Sequence, residues 1–114
     1  MTKLYITTLI NTEIRDVYSA IIAAGARLAL VIDMNQRLVG ICTQGDLMRL
    51  HPVRGHDPIS SAMNTNFVFA NVSEPADTIK NKIVELNLLA LPILDQDGVL
   101  VDVETPWRLL EQSR

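Results

Sequence analysis

The sequence predicts an α+β protein built from two β-α-β-β-α repeats packed with pseudo-twofold symmetry. Three observations carry this expectation: the chain matches itself when displaced by 62 positions, each copy runs through helical and strand periodicities in the same order, and the stretch between the copies is punctuated by proline and glycine. The displacement pairs Ile6 with Val68, Ile14 with Ala76, Val17 with Ile79, Ile21 with Ile83 and Ile22 with Val84. It holds without a gap through Val31 and Ile93, Asp33 and Asp95, Leu38 and Leu100, Val39 and Val101, Thr43 and Thr105, and Leu47 and Leu109.

In the first copy, Ile14, Val17, Tyr18, Ile21 and Ile22 fall at i, i+3, i+4, i+7 and i+8, one apolar face of a helix. Asn11 or Thr12 is expected to accept the free amides at its start, and Gly25 to end it in a left-handed turn. Leu28 to Ile32 and Leu38 to Cys42 read as strands joined through Asp33-Met34-Asn35-Gln36, a β-hairpin, and Thr43 opens a second helix. In the second copy Ser73 is the expected helix cap, with Glu74, Pro75 and Asp77 in the first turn and the helix running to about Asn87. Leu89 to Leu94 and Val99 to Val103 flank the stronger turn Asp95-Gln96-Asp97-Gly98. Pro92 inside a strand predicts an edge or a bulge. The expected organisation is repeat 1 over residues 1–50, an irregular linker over 51–63 with Pro52, Gly55 and Pro58, and repeat 2 over 64–114. Repeats of about 50 residues are too small for comfortable separate cores, so the two are expected to share one hydrophobic interface.

Composition narrows the function. With 48% hydrophobic and 20% charged residues, the chain of 114 is expected to fold as one compact module. A net charge of −3 gives no basic stripe to track a phosphate backbone, so no nucleic-acid partner is expected. The apolar runs Leu28–Ile32 and Leu88–Leu94 fall far short of the ~20 residues that cross a bilayer, and no export signal is readable, so no membrane association and a cytoplasmic location are expected. The single Cys42 suits a reducing compartment and reads as a buried, inert thiol. His51 and His56 have no Cys or carboxylate at ligand spacing, so no metal site is expected.

The stretch richest in chemistry is Gly40-Ile41-Cys42-Thr43-Gln44-Gly45-Asp46-Leu47, a strand entering a helix. Thr43 and Asp46 have the spacing of a capping box, in which each side chain serves a backbone amide of the other. The same residues suit a nucleotide: helix amides and the Thr43 hydroxyl would meet a phosphate, and Asp46 would accept hydrogen bonds from two ribose hydroxyls. Gly45 weighs toward the second reading, because glycine is unfavourable in a helical turn unless something approaches the backbone closely. Arg49, His51, Arg54 and His56 either screen a polyphosphate there or form a solvated helix end, where cations are favoured anyway.

The repeat together with the G-h-h-T-x-x-D pattern resembles the cystathionine-β-synthase (CBS) domain, and two such repeats resemble a Bateman module. The resemblance runs from about Ile6 to Leu110. It implies a regulatory module without catalytic residues or an obligatory cofactor, which binds AMP, ADP, ATP or S-adenosylmethionine in clefts between repeats, forms a homodimer, and controls a tethered or associated enzyme. Guanine nucleotides stay open as ligands. By this resemblance Thr43 matches a phosphate- or ribose-contacting threonine, Asp46 the ribose-binding aspartate, Leu30 and Val31 the strand residues flanking adenine, and Ile6 and Thr8 first-strand residues of the same pocket. The second copy departs from the pattern: Gly40 becomes Asp102, Gly45 becomes Trp107 and Asp46 becomes Arg108, with Thr105 retained. One nucleotide site per chain is therefore expected.

A narrower resemblance, through Gly25 to Asp33, Thr43 to Asp46 and Pro58 to Asn64, is to the N-terminal CBS pair of bacterial sugar-nucleotidyltransferases related to mannose-1-phosphate guanylyltransferase. Two other function classes stand beside the sensor. One is a dimerisation or protein-interaction scaffold with vestigial clefts, to which Trp107, Leu109 and Leu110 would lend a surface unless they are core. The other is a catalytic subunit served by Cys42 or His51.

Overall fold

A computed structural model describes residues 4–112, and within them the chain divides into two compact units between Phe67 and Val68. The first unit contains β1 (Tyr5–Leu9), α1 (Ile14–Ala24), β2 (Leu28–Ile32), β3 (Leu38–Thr43), α2 (Gln44–Arg54) and a 3-10 turn at Ile59–Ser61. The second contains β4 (Ala70–Asn71), α3 (Ala76–Leu86), β5 (Leu91–Leu94), β6 (Leu100–Glu104) and α4 (Pro106–Gln112). Each has one three-stranded sheet, ordered β1-β2-β3 and β4-β5-β6, in which the first pair is parallel and the second antiparallel. The α+β class and the repeated element order are those the sequence predicts, and α1 and α3 lie 62 positions apart at both ends.

The repeat extends to single hydrogen bonds. In the β2–β3 turn the Asp33 carboxylate accepts from the amides of Asn35 and Arg37, and in the β5–β6 turn Asp95 accepts from Asp97 and Val99. The residue that must turn left-handed is Gln36 in the first copy, at φ 66°, and Gly98 in the second, at φ 83°. Glycine takes that conformation without a Cβ penalty, which is why the second turn is the easier one to read.

Alternation along the strands sorts the first sheet into two faces. Ala29, Val31 and Cys42 point to the helical side and pack with Ile14, Val17, Ile21, Leu47 and Ile59, and Ile6 leans on the same core. The smaller second core joins Ala70, Ile83, Leu91 and Ile93.

Several local expectations are corrected. Neither Asn11 nor Thr12 caps α1: its N-cap is Glu13, without a side-chain bond, and the amides of Ile14 and Arg15 donate to the carbonyls of Asp57 and Gly55 at 2.9 and 3.0 Å. Ser73 lies too early to cap α3, which starts at Ala76 behind Pro75, and its hydroxyl donates to Asn71 instead. Segment 51–63 is not irregular throughout. Helix α2 continues through Pro52 to Arg54, and the turn after it folds back on the first unit, where the Ile59 amide donates to the Thr12 carbonyl at 2.8 Å. Pro92 is not at an edge but in the central strand, whose register against β6 shifts just after it, between Ile93 and Leu94, and β4 is so short that it pairs only with Ile93 and Leu94, so no ladder bond on that side requires an amide at Pro92.

Candidate functional site

Thr43 ends β3 and is the N-cap of α2, and its hydroxyl accepts the Asp46 amide at 3.1 Å. This is the forward half of a capping box. The return half is missing, because the Asp46 carboxylate takes an ion pair with Arg49 one turn along the helix. The Asp46 and Arg49 side chains are 40% and 74% exposed, so solvent screens the pair and it is worth at most about 1 kcal/mol. A carboxylate held this weakly can be exchanged to another donor.

The two motif glycines have different reasons to be glycine. A Cβ on Gly40 would stand 2.5 Å from the Met63 sulfur, whose side chain lies over β3 where Ile41 and Asn64 exchange backbone hydrogen bonds. Gly40 is therefore set by packing. At Gly45 a Cβ would meet only the Thr43 hydroxyl oxygen, at 4.0 Å, and the backbone φ is not positive. Nothing among the described residues requires glycine there, and what it preserves is open space beside Thr43 and the first amides of α2.

The structure parts the other expected site residues. Val31 is fully enclosed in the helix-facing core, so its side chain cannot touch a ligand. Ile6 and Thr8 share its face, through their pairing with Ala29 and Val31. Leu30 is buried on the opposite face, beside Ile41. The ladder opposes Thr43 to Leu28 and puts Thr8 in the row of Gly40, three residues or about 10 Å from Thr43 along the strand. The polar pair Thr43 and Asp46 is brought together, and the four strand residues are not gathered on one surface.

Of the four basic residues near the end of α2, only Arg49 belongs to this site. Arg54 bonds Asp57 at 2.9 Å and Ser61, the His56 Nδ1 faces Glu13 at 3.2 Å, and His51 stacks on Tyr18 with ring centroids 4.1 Å apart. The two histidine contacts tie the end of α2 and the following turn to α1 and its N-cap, and the Arg54 contacts hold that turn to α2. The His56 hydrogen bond, with help from Arg15, holds the Glu13 carboxyl below its ordinary range. Burial, and then the nearby Asp46 charge, push the Cys42 thiol up to about 11. Among the described residues, no three His, Cys, Asp or Glu side chains gather as a metal site would need. No helix there is long and apolar enough to cross a membrane.

At the matching position of the second unit the charges are rearranged. Thr105 keeps the cap, accepting the Arg108 amide at 3.3 Å. Arg108, where the first copy has Asp46, donates to the Asp102 carboxylate and the Val103 carbonyl, both at 2.8 Å, and its Nε stands 3.4 Å from Glu104. The Arg108 hydrogen bond holds the Asp102 carboxyl below its usual range. Trp107, at the place of Gly45, is half exposed.

The role of Arg49 was legible only as one of four cations, although its i,i+3 spacing from Asp46 marks an ion pair on a helix. That Met63 requires Gly40 has no local sequence signal.

Comparison with known proteins places the fold. The family model described as CBS domain matches residues 1–52. None of the curated proteins matches the sequence. Among solved structures, Staphylococcus aureus OpuCA superposes with a TM-score of 0.80 at 18% identity over 95% of this chain and 90% of its own. CBSX2, solved in complex with AMP, gives 0.80 at 19% over 95% and 86%. The CBS domain pair of protein MJ0100, in complex with 5′-methylthioadenosine and S-adenosyl-L-methionine, gives 0.71 at 23% over 98% and 93%. Other structures with the same fold are longer, and the chain spans 53% or 44% of their length. The first repeat is thus matched as a CBS domain, and the whole chain has the fold of a CBS-domain pair.

Proposed function

We propose that this CBS-domain pair is a regulatory module that binds one adenine nucleotide per chain, at Thr43 and Asp46 of the first repeat, and performs no catalysis itself. The observation that carries this reading is the combination at one helix start of a displaceable carboxylate and a glycine that no internal contact explains. Asp46 accepts the ribose hydroxyls, while the Thr43 hydroxyl and the first amides of α2 meet phosphate. Of the expected strand residues, Ile6 and Thr8 on one face of the sheet reach toward the base with their side chains, while Leu30 and Val31, both fully enclosed, meet it through the backbone only. The second repeat binds no nucleotide, because Asp102 and Glu104 engage the arginine that replaces the ribose carboxylate. Binding that favours one arrangement of the repeats is passed as a coupling energy of about 1–3 kcal/mol to an attached or associated enzyme in the cytoplasm. A sugar-phosphate nucleotidyltransferase is the enzyme to try first, on the strength of the sequence resemblance alone.

The test is calorimetric titration with AMP, ADP, ATP and S-adenosylmethionine, with Asp46→Ala in parallel. Loss of charge-assisted bonds of roughly 1.5–3 kcal/mol weakens binding about ten- to a hundredfold. Equal affinity in both proteins refutes the assignment of Asp46.

One observation favours the scaffold as a second reading. Ile22 and Met48 of the first unit are at least half exposed, and so are their repeat mates Val84 and Leu110. In the second unit an apolar groove of about 400 Å³ lies between α3 and α4, lined by Ile83, Val84, Leu88, Pro106, Leu109 and Leu110. These faces suit a homodimer, and light scattering of the purified chain measures it directly.

A further inference from the structure

We infer that Arg49 makes the site selective for phosphorylated adenosines over adenosine derivatives that carry no anion near the sugar. The inference rests on the nucleotide reading of Asp46 and adds the residue that chooses among its ligands. In the free protein Arg49 is the partner of the Asp46 carboxylate. A ribose diol that takes this carboxylate must displace the guanidinium. The arginine is then left one helical turn from Asp46, with its positive charge unmatched by any other described acid of α2, since Asp46 is the only acidic residue between Gln44 and Arg54. A ligand with a phosphate on its 5′ carbon supplies the missing anion and exchanges one ion pair for another. Adenosine or 5′-methylthioadenosine takes the carboxylate and returns nothing to Arg49.

The other basic side chains near the end of α2 cannot take this role without giving up contacts of their own. Arg54 is committed to Asp57 and Ser61, His56 to Glu13 and His51 to Tyr18. Arg49 is also suitable in kind: its planar fork matches phosphate as well as carboxylate, and at 74% exposure it is free to swing between them.

The experiment compares AMP, adenosine and 5′-methylthioadenosine by calorimetry on the wild-type chain, Arg49→Ala, Arg49→Lys and Asp46→Ala, with the melting temperature of each variant recorded. The wild type is expected to bind AMP at least tenfold more tightly than the two uncharged ligands. In Arg49→Ala the affinity for AMP falls about tenfold, while adenosine and 5′-methylthioadenosine bind as well as before or a few-fold better, because their competitor is gone. Arg49→Lys recovers part of the AMP affinity, and its preference for AMP weakens with added salt. Equal losses for all three ligands in Arg49→Ala, or no loss for AMP, overturn the inference while leaving Asp46 in place. Unchanged binding of every ligand in Asp46→Ala overturns the nucleotide reading and this inference with it.

Discussion

Replacing Gly45 by alanine is expected to make the protein more stable and its ligand weaker, two effects of opposite sign from one methyl group. The added Cβ meets no atom closer than the Thr43 hydroxyl oxygen at 4.0 Å, and the backbone at Gly45 is already in a conformation alanine prefers. Alanine in a helix interior is favoured over glycine by about 1 kcal/mol, and near the first turn, where the structure is less constrained, about half of that is expected. For a chain of this length, ~0.5 kcal/mol raises the melting temperature by about 2 °C. The second repeat shows that the position tolerates bulk, since Trp107 stands there half exposed. A phosphate held by the Thr43 hydroxyl and the α2 amides, however, would lie against the new methyl group. A tenfold loss of AMP affinity, equal to ~1.4 kcal/mol, is a moderate steric effect at such a contact. Thermal melts and calorimetric titration of the two proteins read both quantities. Greater stability with undiminished AMP binding would show that nothing approaches Gly45, and lower stability would refute the account of the helix start itself.

Three further outcomes follow from the same structure. Ile59→Ala removes a fully enclosed side chain from the first core and is expected to cost about 2–5 kcal/mol in urea unfolding, whereas a residue of a solvated linker would cost less than 1 kcal/mol. Glu13, Glu74 and Asp102 all have folded-state carboxyls held below their ordinary range, chiefly by His56, Lys82 and Arg108. Their contribution to stability is complete above the ordinary carboxylate range and is lost as pH falls through the lowered values, so the urea midpoint should drop below about pH 4.5 and a midpoint that rises on acidification contradicts it. Cys42, buried and with its thiol pushed up to about 11, should resist a thiol reagent at pH 8 in the folded protein and react at once in denaturant.

The parts of the fold that could be read from the sequence are those determined by near neighbours. Helix α1 follows from apolar residues three and four apart and ends where Gly25 turns left-handed at φ 65°. The turns at Asp33 and Asp95 follow from side chains that reach two and four residues ahead. The closing of segment 55–63 on the first unit depends instead on partners more than forty residues away. Asp57 accepts the Ile14 amide, and Ile59 donates to Thr12. Proline and glycine at 52, 55 and 58 look like loop chemistry because such distant carbonyls leave no local mark. The same limit explains why Leu30 and Val31 were expected in one pocket. Adjacent strand residues face opposite ways, and only the packed structure shows that both sides are closed, over Val31 by the helix-facing core and over Leu30 on the other face.

The internal repeat also separates what the fold needs from what the site needs. Threonine is present at the helix start in both units and accepts the same amide in both, at 3.1 Å from Asp46 and 3.3 Å from Arg108. Thr43 is therefore accounted for by capping, whether or not a ligand binds. Asp46 and Gly45 are not, because the second unit builds the same strand, cap and helix with arginine and tryptophan in their places. There the acid has moved to the strand as Asp102 and binds the arginine directly, which fixes the charges within the unit. In the first unit the corresponding strand position is Gly40, which packing against Met63 keeps free of a side chain, so no strand acid competes for Arg49. The first unit thus retains an exchangeable acid and an exchangeable base at its helix start, while at the corresponding start in the second unit Arg108 is paired with the strand acid Asp102. A fold that tolerates both versions places no demand on the carboxylate at 46, so its reason lies outside the fold, and the proposed ribose contact is the reading that the Asp46→Ala titration tests.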